Sequence, residues 1–494
     1  MKSKRKHPKG LMVLFYTEMW ERFSYYGMRA LLVLYLTTDL FQGGFGLDRT
    51  TALRIYAVFV GLVYLMPIPG GYLADKYLGQ RKAVYIGAFL MAIGQFFMAF
   101  SEFGEMIVRE NFRNMGLGFI IIGTGFFKAN ISTIVGDLFT ENDPRKDSAF
   151  TIFYMGINIG ALFGPFIAGF LGQRIDWFWG FGAAGTGMII STLWFYSQRD
   201  NLGASGMPPG RKAIDGTYHL NGKDRFDIFY HVAGSMALVW GAYKLWSEIS
   251  EKFRSLIIGS LFLTGGLLLA YIIIKNTKGK ESWSKLSVIL ILLFFNVFFW
   301  SGYEQAGATF NLFAQYNTNR VTTFGEFPAS WFQSVPALYI VLFASLFAVI
   351  WIRLNAIGKE PNTPVKFGLG LILMSIGFII MNKAVQHTNN ENLVSPMWLL
   401  AVYFMHTMGE LCLSPIGLSM VTKLAPQKIV SVMMGVWFAS IALAGYLAGI
   451  LENILQTYLP GMHLFAFLTF TSLFAGVLLL IISPILNKMM KGVH

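Results

Sequence analysis

The sequence has little cysteine and little charge. Cys412 is the only cysteine among 494 residues, which excludes a disulfide framework within the chain and a CxxC metal site. Charged residues make up 13% of the chain, about half the share found in soluble domains, whereas hydrophobic residues make up 55%. Most of the chain is therefore expected to lie in a lipid bilayer.

The basic residues of the chain do not indicate nucleic-acid binding. They give a formal net charge of +13, but they cluster in short loops between apolar runs, as in the cytoplasmic loops of membrane proteins. The N-terminus MKSKRKHPKGLMVLF resembles a signal peptide. No small-residue cleavage site follows it, and Glu18, Glu21 and Arg22 interrupt the apolar run, so we interpret it as a retained helix.

Fourteen apolar runs are long enough to cross a bilayer, which requires about 20 residues. They lie near 11–38, 52–74, 82–101, 115–137, 149–172, 178–197, 226–246, 254–275, 285–308, 331–353, 366–383, 396–422, 429–451 and 462–486. The lysines and arginines lie in alternate loops, which predicts that both termini are cytoplasmic.

The runs predict an all-α membrane protein and, by analogy, the major facilitator fold. If the helices near 226–246 and 254–275 are an insert, the remainder divides into six plus six, as in transporters built from two bundles. We predict an N-terminal bundle over 1–197, a cytoplasmic linker with a two-helix insert over 198–284, and a C-terminal bundle over 285–494.

Several charged side chains fall inside predicted helices, where each costs at least about 3 kcal/mol unless it has a partner or water. On the first helix, the spacing of Glu18, Glu21, Arg22 and Arg29 places all four on one face. That face must point into a protein interior. The stretch GGYLADKYLGQRK after the second helix also carries charges, and there we favour a charge pair that locks helix ends over a substrate site.

Residue counting from the cytoplasmic side places the buried charges in two layers, at about 1.5 Å per residue. Arg22, Lys128 and Glu410 fall near mid-membrane. Polar and aromatic residues of other helices fall at similar depth: Tyr64, Asn158, Trp300 and Trp437. Arg29 and Glu304 lie nearer the outside, where a pair between them would bridge the bundles.

The buried charges do not balance, because four glutamates (Glu18, Glu21, Glu304 and Glu410) face three cations. A surplus buried carboxylate tends to bind a proton. This imbalance indicates coupling to protons.

Several motifs carry a family resemblance. EMWERFSYYG lies on the first helix, GGYLADKYLGQRKAV follows the second, and FTIFYMGINIGAL lies on the fifth, with shorter matches at FFKAN, WSGYEQ and GELCLSP. The chain resembles, over nearly its whole length, the proton-dependent oligopeptide transporter family, whose bacterial members also carry two extra helices between the bundles. One departure is Pro336, where the family usually has an asparagine that helps hold the peptide.

The resemblance implies roles for individual residues. The proton-coupling residues would be Glu18, Glu21, Arg22, Lys128 and Glu304. The substrate-binding residues would be Arg22, Tyr26, Tyr64, Lys128, Asn158, Trp300, Glu410, Ser414 and Trp437. The external gate would be the salt bridge of Arg29 with Glu304.

We therefore predict a proton-coupled symporter that imports di- and tripeptides across the bacterial inner membrane by alternating access. We expect a monomer without a metal, with protons as the coupling ion and no other cofactor. The alternative is a symporter of another small charged solute, an amino acid or nitrate; nitrate has no amine for Glu410. An enzyme is disfavoured because the sequence has no HExxH motif and no Ser/His/Asp set at one depth.

Overall fold

The computed structural model describes residues 6–140, 143, 145–208, 221–248, 267, 269–388, 392–426 and 429–490. This part of the chain is almost wholly helical, as expected where lipid offers no hydrogen bonds to the backbone. Two short antiparallel strands, β1 (Val321–Thr322) and β2 (Gly325–Glu326), form a hairpin.

The helices of the first half of the chain are α1 (Lys9–Thr37), α2 (Arg49–Leu65), α3 (Pro67–Leu73), α4 (Gln80–Phe100), α5 (Met106–Asp137), α6 (Lys146–Arg174), α7 (Trp177–Ser197) and α8 (Gly222–Glu248). A π-helical turn, Ala74–Leu78, continues α3. The second predicted helix of the insert, near 254–275, lies mostly outside the described residues.

The helices of the second half are α9 (Lys280–Tyr303), α10 (Thr309–Tyr316), α11 (Val335–Ala356), α12 (Thr363–His387), α13 (Met397–Leu424), α14 (Val430–Tyr458) and α15 (Leu464–Met490). The run predicted near 285–308 is broken, because a 3₁₀ turn at Glu304–Gly307 separates α9 from α10. A second 3₁₀ segment, Ala329–Ser334, precedes α11.

The described helices include nine stretches long and apolar enough to cross a membrane. α1 is not among these nine, although it is 29 residues long. The reason is its charge, since Glu18, Glu21, Arg22 and Arg29 lie within its apolar run.

The chain packs into two compact units. The first unit comprises Met1–Val239 and Ala306–Val341, and the second comprises Trp240–Gln305 and Leu342–His494. Residues 306–341 therefore pack with the first unit, although they follow the first helix of the predicted C-terminal bundle. The predicted domain boundaries after residues 197 and 284 follow the order of the helices along the chain, and they remain predictions.

Glycine lets α6 lie directly against α1 in the first unit. Gly160 and Gly164 lie one turn apart, and a Cβ atom on either would collide with the backbone of α1 at Met19 or Phe23. Close approach through small residues is a common way to pack membrane helices. It fixes the rotation of α1 and hence the direction of its charged face.

In the second unit α12 packs against α13 and α15 in the same way. A Cβ atom on Gly370 would lie 2.9 Å from the carbonyl oxygen of Gly409. Gly409 precedes Glu410, so this contact positions the part of α13 that carries the buried carboxyl group. Gly377 packs just as closely against the ring of His406, which is buried within this helix packing.

Candidate functional site

The charged face of α1 is buried and partly paired within the helix. Glu18, Glu21 and Arg22 are each at most 4% exposed. The Arg22 Nε atom donates a hydrogen bond to Glu18 Oε1 at 2.8 Å and lies 2.6 Å from Glu21 Oε2. Residues four apart face each other on a helix, whereas adjacent residues diverge. The contact with Glu21 is therefore an ion pair without an aligned hydrogen bond.

Four buried polar atoms of this cluster have no hydrogen-bond partner: Glu18 Oε2, Glu21 Oε1, Glu21 Oε2 and Arg22 Nη2. A buried polar group left unpaired costs about 1–3 kcal/mol, and more when it is charged. Such atoms are expected to accept a proton or a ligand. The α1 cluster (Glu18, Glu21 and Arg22) can therefore bind a proton at its carboxylates and an anionic ligand at its guanidinium group.

Lys128 on α5 joins the α1 cluster through the aromatic residue Tyr64. The Lys128 ammonium lies 4.1 Å from the centroid of the Tyr64 ring, a cation–π contact worth about 0.5–2 kcal/mol. Lys128 also acts electrostatically on Glu21, and Tyr26 and Tyr64 act on Arg22. The structure thus brings together the predicted residues of α1, α2 and α5.

Arg29, further along α1, contacts two tyrosines. Its Nε atom donates a hydrogen bond to the Tyr56 hydroxyl at 2.9 Å, and its guanidinium group lies 5.8 Å from the Tyr26 ring centroid. Tyr56 is fully buried on α2 and was not predicted from the sequence. The available signal was its position about two turns before Tyr64 on the same helix.

The external gate pair predicted from the sequence stays a prediction. Arg29 belongs to the first unit, whereas Glu304, which is 1% exposed, begins the 3₁₀ turn after α9 in the second unit. Asn158 on α6 is buried in the first unit, and its amide donates to the Tyr154 carbonyl of its own helix at 2.9 Å.

The second unit carries its own buried carboxyl group, Glu410 on α13. It is 7% exposed, and its Oε2 atom has no hydrogen-bond partner. Tyr303 at the end of α9 hydrogen-bonds this carboxyl group, and the neighbouring Glu304 acts on it electrostatically. Tyr303 also packs edge to face on Trp300 at 5.2 Å. The sequence prediction included Trp300 but missed Tyr303.

Two further predicted residues lie on the helices around Glu410. Trp437 on α14 is 4% exposed and packs edge to face against Phe367 at 6.3 Å. The side chain of Ser414 lies outside the described part of the chain. Trp437 therefore lies in the packed interior of the second unit.

A further carboxyl group is partly buried outside the membrane-spanning segments. Glu102, between α4 and α5, and Asp176, which caps α7, both accept a hydrogen bond from the backbone N–H of Phe178, at 2.7 and 2.9 Å. Burial and a shared hydrogen bond with Asp176 raise the pKa of Glu102 from 4.5 to about 8, against the opposing charge of Arg109.

The described residues contain no group of three His, Cys, Asp or Glu side chains that could hold a metal ion.

Comparisons with known proteins agree with one another. The sequence profile of the POT family matches residues 81–460. The chain is 37% identical to the peptide transporter YePEPT of Yersinia enterocolitica over 90% of this chain and 87% of that protein. A crystal structure of a peptide transporter POT with sulfate is similar at a TM-score of 0.84 and 33% identity, covering 99% of this chain and 97% of that one.

A further crystal structure shows a POT family transporter in complex with 5-aminolevulinic acid. It is similar at a TM-score of 0.81 and 32% identity, and the match covers 98% of each chain. These matches confirm the predicted family resemblance and the predicted major facilitator fold, and they are to transporters rather than to enzymes.

Proposed function

This chain belongs to the POT family, and we propose how its residues carry out the proton-coupled import of di- and tripeptides. It is a multi-pass protein of the bacterial inner membrane. The observation that carries the proposal is the set of buried polar atoms without partners, one set in each unit. A zwitterionic peptide needs a cation for its carboxylate and an anion for its amine, and each unit offers one of these.

The carboxylate of the peptide binds to Arg22 and Lys128. When Glu18 and Glu21 are both ionised, their two negative charges cancel the charges of Arg22 and Lys128, and the cluster is neutral. A proton on either glutamate leaves a net charge of +1 beside the unpaired Arg22 Nη2 atom. Protonation thereby strengthens binding of the carboxylate, and this differential interaction couples the proton to the peptide.

The amine of the peptide binds to Glu410 in the second unit. The unpaired Oε2 atom of Glu410 accepts the hydrogen bond, while Tyr303 holds the carboxyl group. The residues proposed to surround the peptide are Tyr26, Tyr64, Asn158, Trp300, Ser414 and Trp437. Aromatic walls tolerate many side chains, which suits a transporter of varied short peptides.

Uptake by proteoliposomes tests this function. A labelled dipeptide is offered with and without an inward proton gradient, in the presence of excess tripeptide, free amino acid or nitrate. We expect the gradient to drive accumulation and only the tripeptide to compete strongly. Strong competition by a free amino acid or by nitrate instead would assign the chain to the alternative class of small charged solutes. Cross-linking in the liposomes tests the proposal that the protein is a monomer.

A further inference from the structure

The first helix of the insert, α8, is built into the first unit as far as Val239. Val232 and Val239 are each 7% exposed, and they pack with Ile86 of α4 and Phe119 of α5 in one apolar cluster. A Cβ atom on Gly118 of α5 would lie 2.8 Å from Val239 Cγ1. A bilayer alone does not favour such an association, because lipid is as apolar as these side chains.

A buried charge cluster fixes the cytoplasmic end of α8. The Lys82 ammonium at the start of α4 lies 2.9 Å from Asp224 Oδ1 and 2.8 Å from Asp227 Oδ2. The Lys82 and Asp224 side chains are only 5% and 3% exposed, whereas Asp227 is 30% exposed. Removal of the lysine would leave the Asp224 carboxylate buried without its cation.

The preceding residue, Arg81, binds the linker that leads from α7 to α8. Its side chain is fully buried and donates to the backbone carbonyls of Gly203 and Ser205. Its backbone N–H donates to the Gly206 carbonyl at 3.0 Å. A Cβ atom on Gly79 would lie 2.5 Å from the nitrogen of Pro208. The linker therefore lies directly on the turn that joins the π-helical segment Ala74–Leu78 to α4.

We propose that Arg81 and Lys82 form an anchor that keeps α8 docked on α4 and α5 throughout the transport cycle. Arg81 binds the linker, and Lys82 binds α8. The first helix of the insert thus moves as part of the first unit. That α8 stays docked during transport rests on the proposed function, whereas the docking itself does not.

A designed disulfide tests the docking without any measurement of transport. Gly118→Cys and Val239→Cys are introduced after Cys412→Ala removes the native thiol. A Cβ atom on Gly118 would lie 3.7 Å from Val239 Cβ, within the range of natural disulfides. We expect rapid cross-linking in membranes under mild oxidation, and a several-fold slower rate after Lys82→Ala. Cross-linking that is absent, or unaffected by Lys82→Ala, would overturn the anchor.

Matched variants separate the anchor from a general loss of folding. Lys285→Ala removes a lysine that also pairs with an acid at 2.9 Å, but its partner Glu281 is 56% exposed. It should leave the cross-linking rate unchanged. Asp227→Asn removes the more exposed partner of Lys82 and should give an intermediate rate in folded protein. The exchange of Lys82→Asp with Asp224→Lys should restore the rate lost in Lys82→Ala.

Transport measurements test whether α8 stays docked during the cycle. The disulfide-bonded protein should take up labelled dipeptide as fast as its reduced form. The disulfide should also restore uptake to the Lys82→Ala variant, because it replaces the lost anchor. Uptake by the reduced form only would show that α8 must leave α4 and α5, and would overturn the proposal. If neither form takes up peptide, the proposed function fails while the cross-linking result still stands.

Discussion

The two units surround their buried carboxylates with different partners. In the first unit Glu18 and Glu21 lie beside Arg22 on the same helix, and Lys128 of α5 acts on Glu21, so that two acids face two bases. In the second unit Glu410 is hydrogen-bonded by the neutral hydroxyl group of Tyr303, and a second acid, Glu304, acts on it electrostatically. Within the described residues no cation pairs with Glu410.

This difference supports the different tasks that we propose for the two sites. In the proposed function, one proton changes the net charge of Glu18, Glu21, Arg22 and Lys128 from zero to +1, which strengthens binding of an anionic ligand. In the same proposal, the uncompensated carboxylate of Glu410 binds the cationic amine of the peptide. The following variants test this division, beginning with the largest expected effect.

Glu21→Gln should lower uptake driven by a proton gradient by about 100-fold, because glutamine cannot bind the coupling proton and the coupling free energy between proton and peptide, about 3 kcal/mol, is lost. Glu21 is fully buried, and its neutral variant gives the cluster the +1 charge without a bound proton. Peptide counterflow, which needs no net proton movement, should survive. Lys128→Ala should lose driven uptake as well. If both variants keep driven uptake undiminished, the compensated cluster does not couple protons.

Glu410→Gln should raise KM for a zwitterionic dipeptide by about 10–100-fold, since a hydrogen bond to a charged group contributes about 1.5–3 kcal/mol. The same substitution should change little for an N-acetylated dipeptide, which has no cationic amine. Glu281→Gln, at an exposed glutamate of α9, serves as the control. An equal loss for both peptides would mean that Glu410 is structural.

The sequence predicted the charged face of α1 because the spacing of residues along one helix determines which of them meet. It could not predict Tyr56 or Tyr303, since 21 tyrosines are present and only the packing of separate helices selects these two. The packing of residues 306–341 with the first unit could not be predicted from the sequence either. The anchor at Lys82 joins residues about 140 positions apart, and the sequence indicated only that charges there would lock helix ends.

Tyr64→Leu should lower the apparent affinity for peptide by about 2–5-fold, because the Lys128 ammonium loses a cation–π partner worth about 0.5–1 kcal/mol. Tyr64→Phe keeps the ring and should retain most of the affinity. Concentration-dependent uptake measures both variants. If phenylalanine and leucine are equally harmful, the tyrosine acts through its hydroxyl group, and the ring does not position Lys128.

The smallest effect is expected at Glu102, a partly buried acid. It lies near both a second acid, Asp176, and a base, Arg109, so its surroundings are intermediate between those of Glu21 and Glu410. Its pKa is raised from 4.5 to about 8, so between these values the folded protein holds a proton that the unfolded chain has lost. The free energy of unfolding contributed by this group therefore falls as pH rises from about 5 to 8 and is constant above that. Glu102→Gln mimics the protonated form, so its Tm should equal that of the parent at pH 5 and exceed it at pH 9. The control is Glu105→Gln, at an exposed neighbouring residue, whose Tm should differ from that of the parent by the same amount at both pH values. If Glu102→Gln also gave a constant difference, no proton would be shared with Asp176.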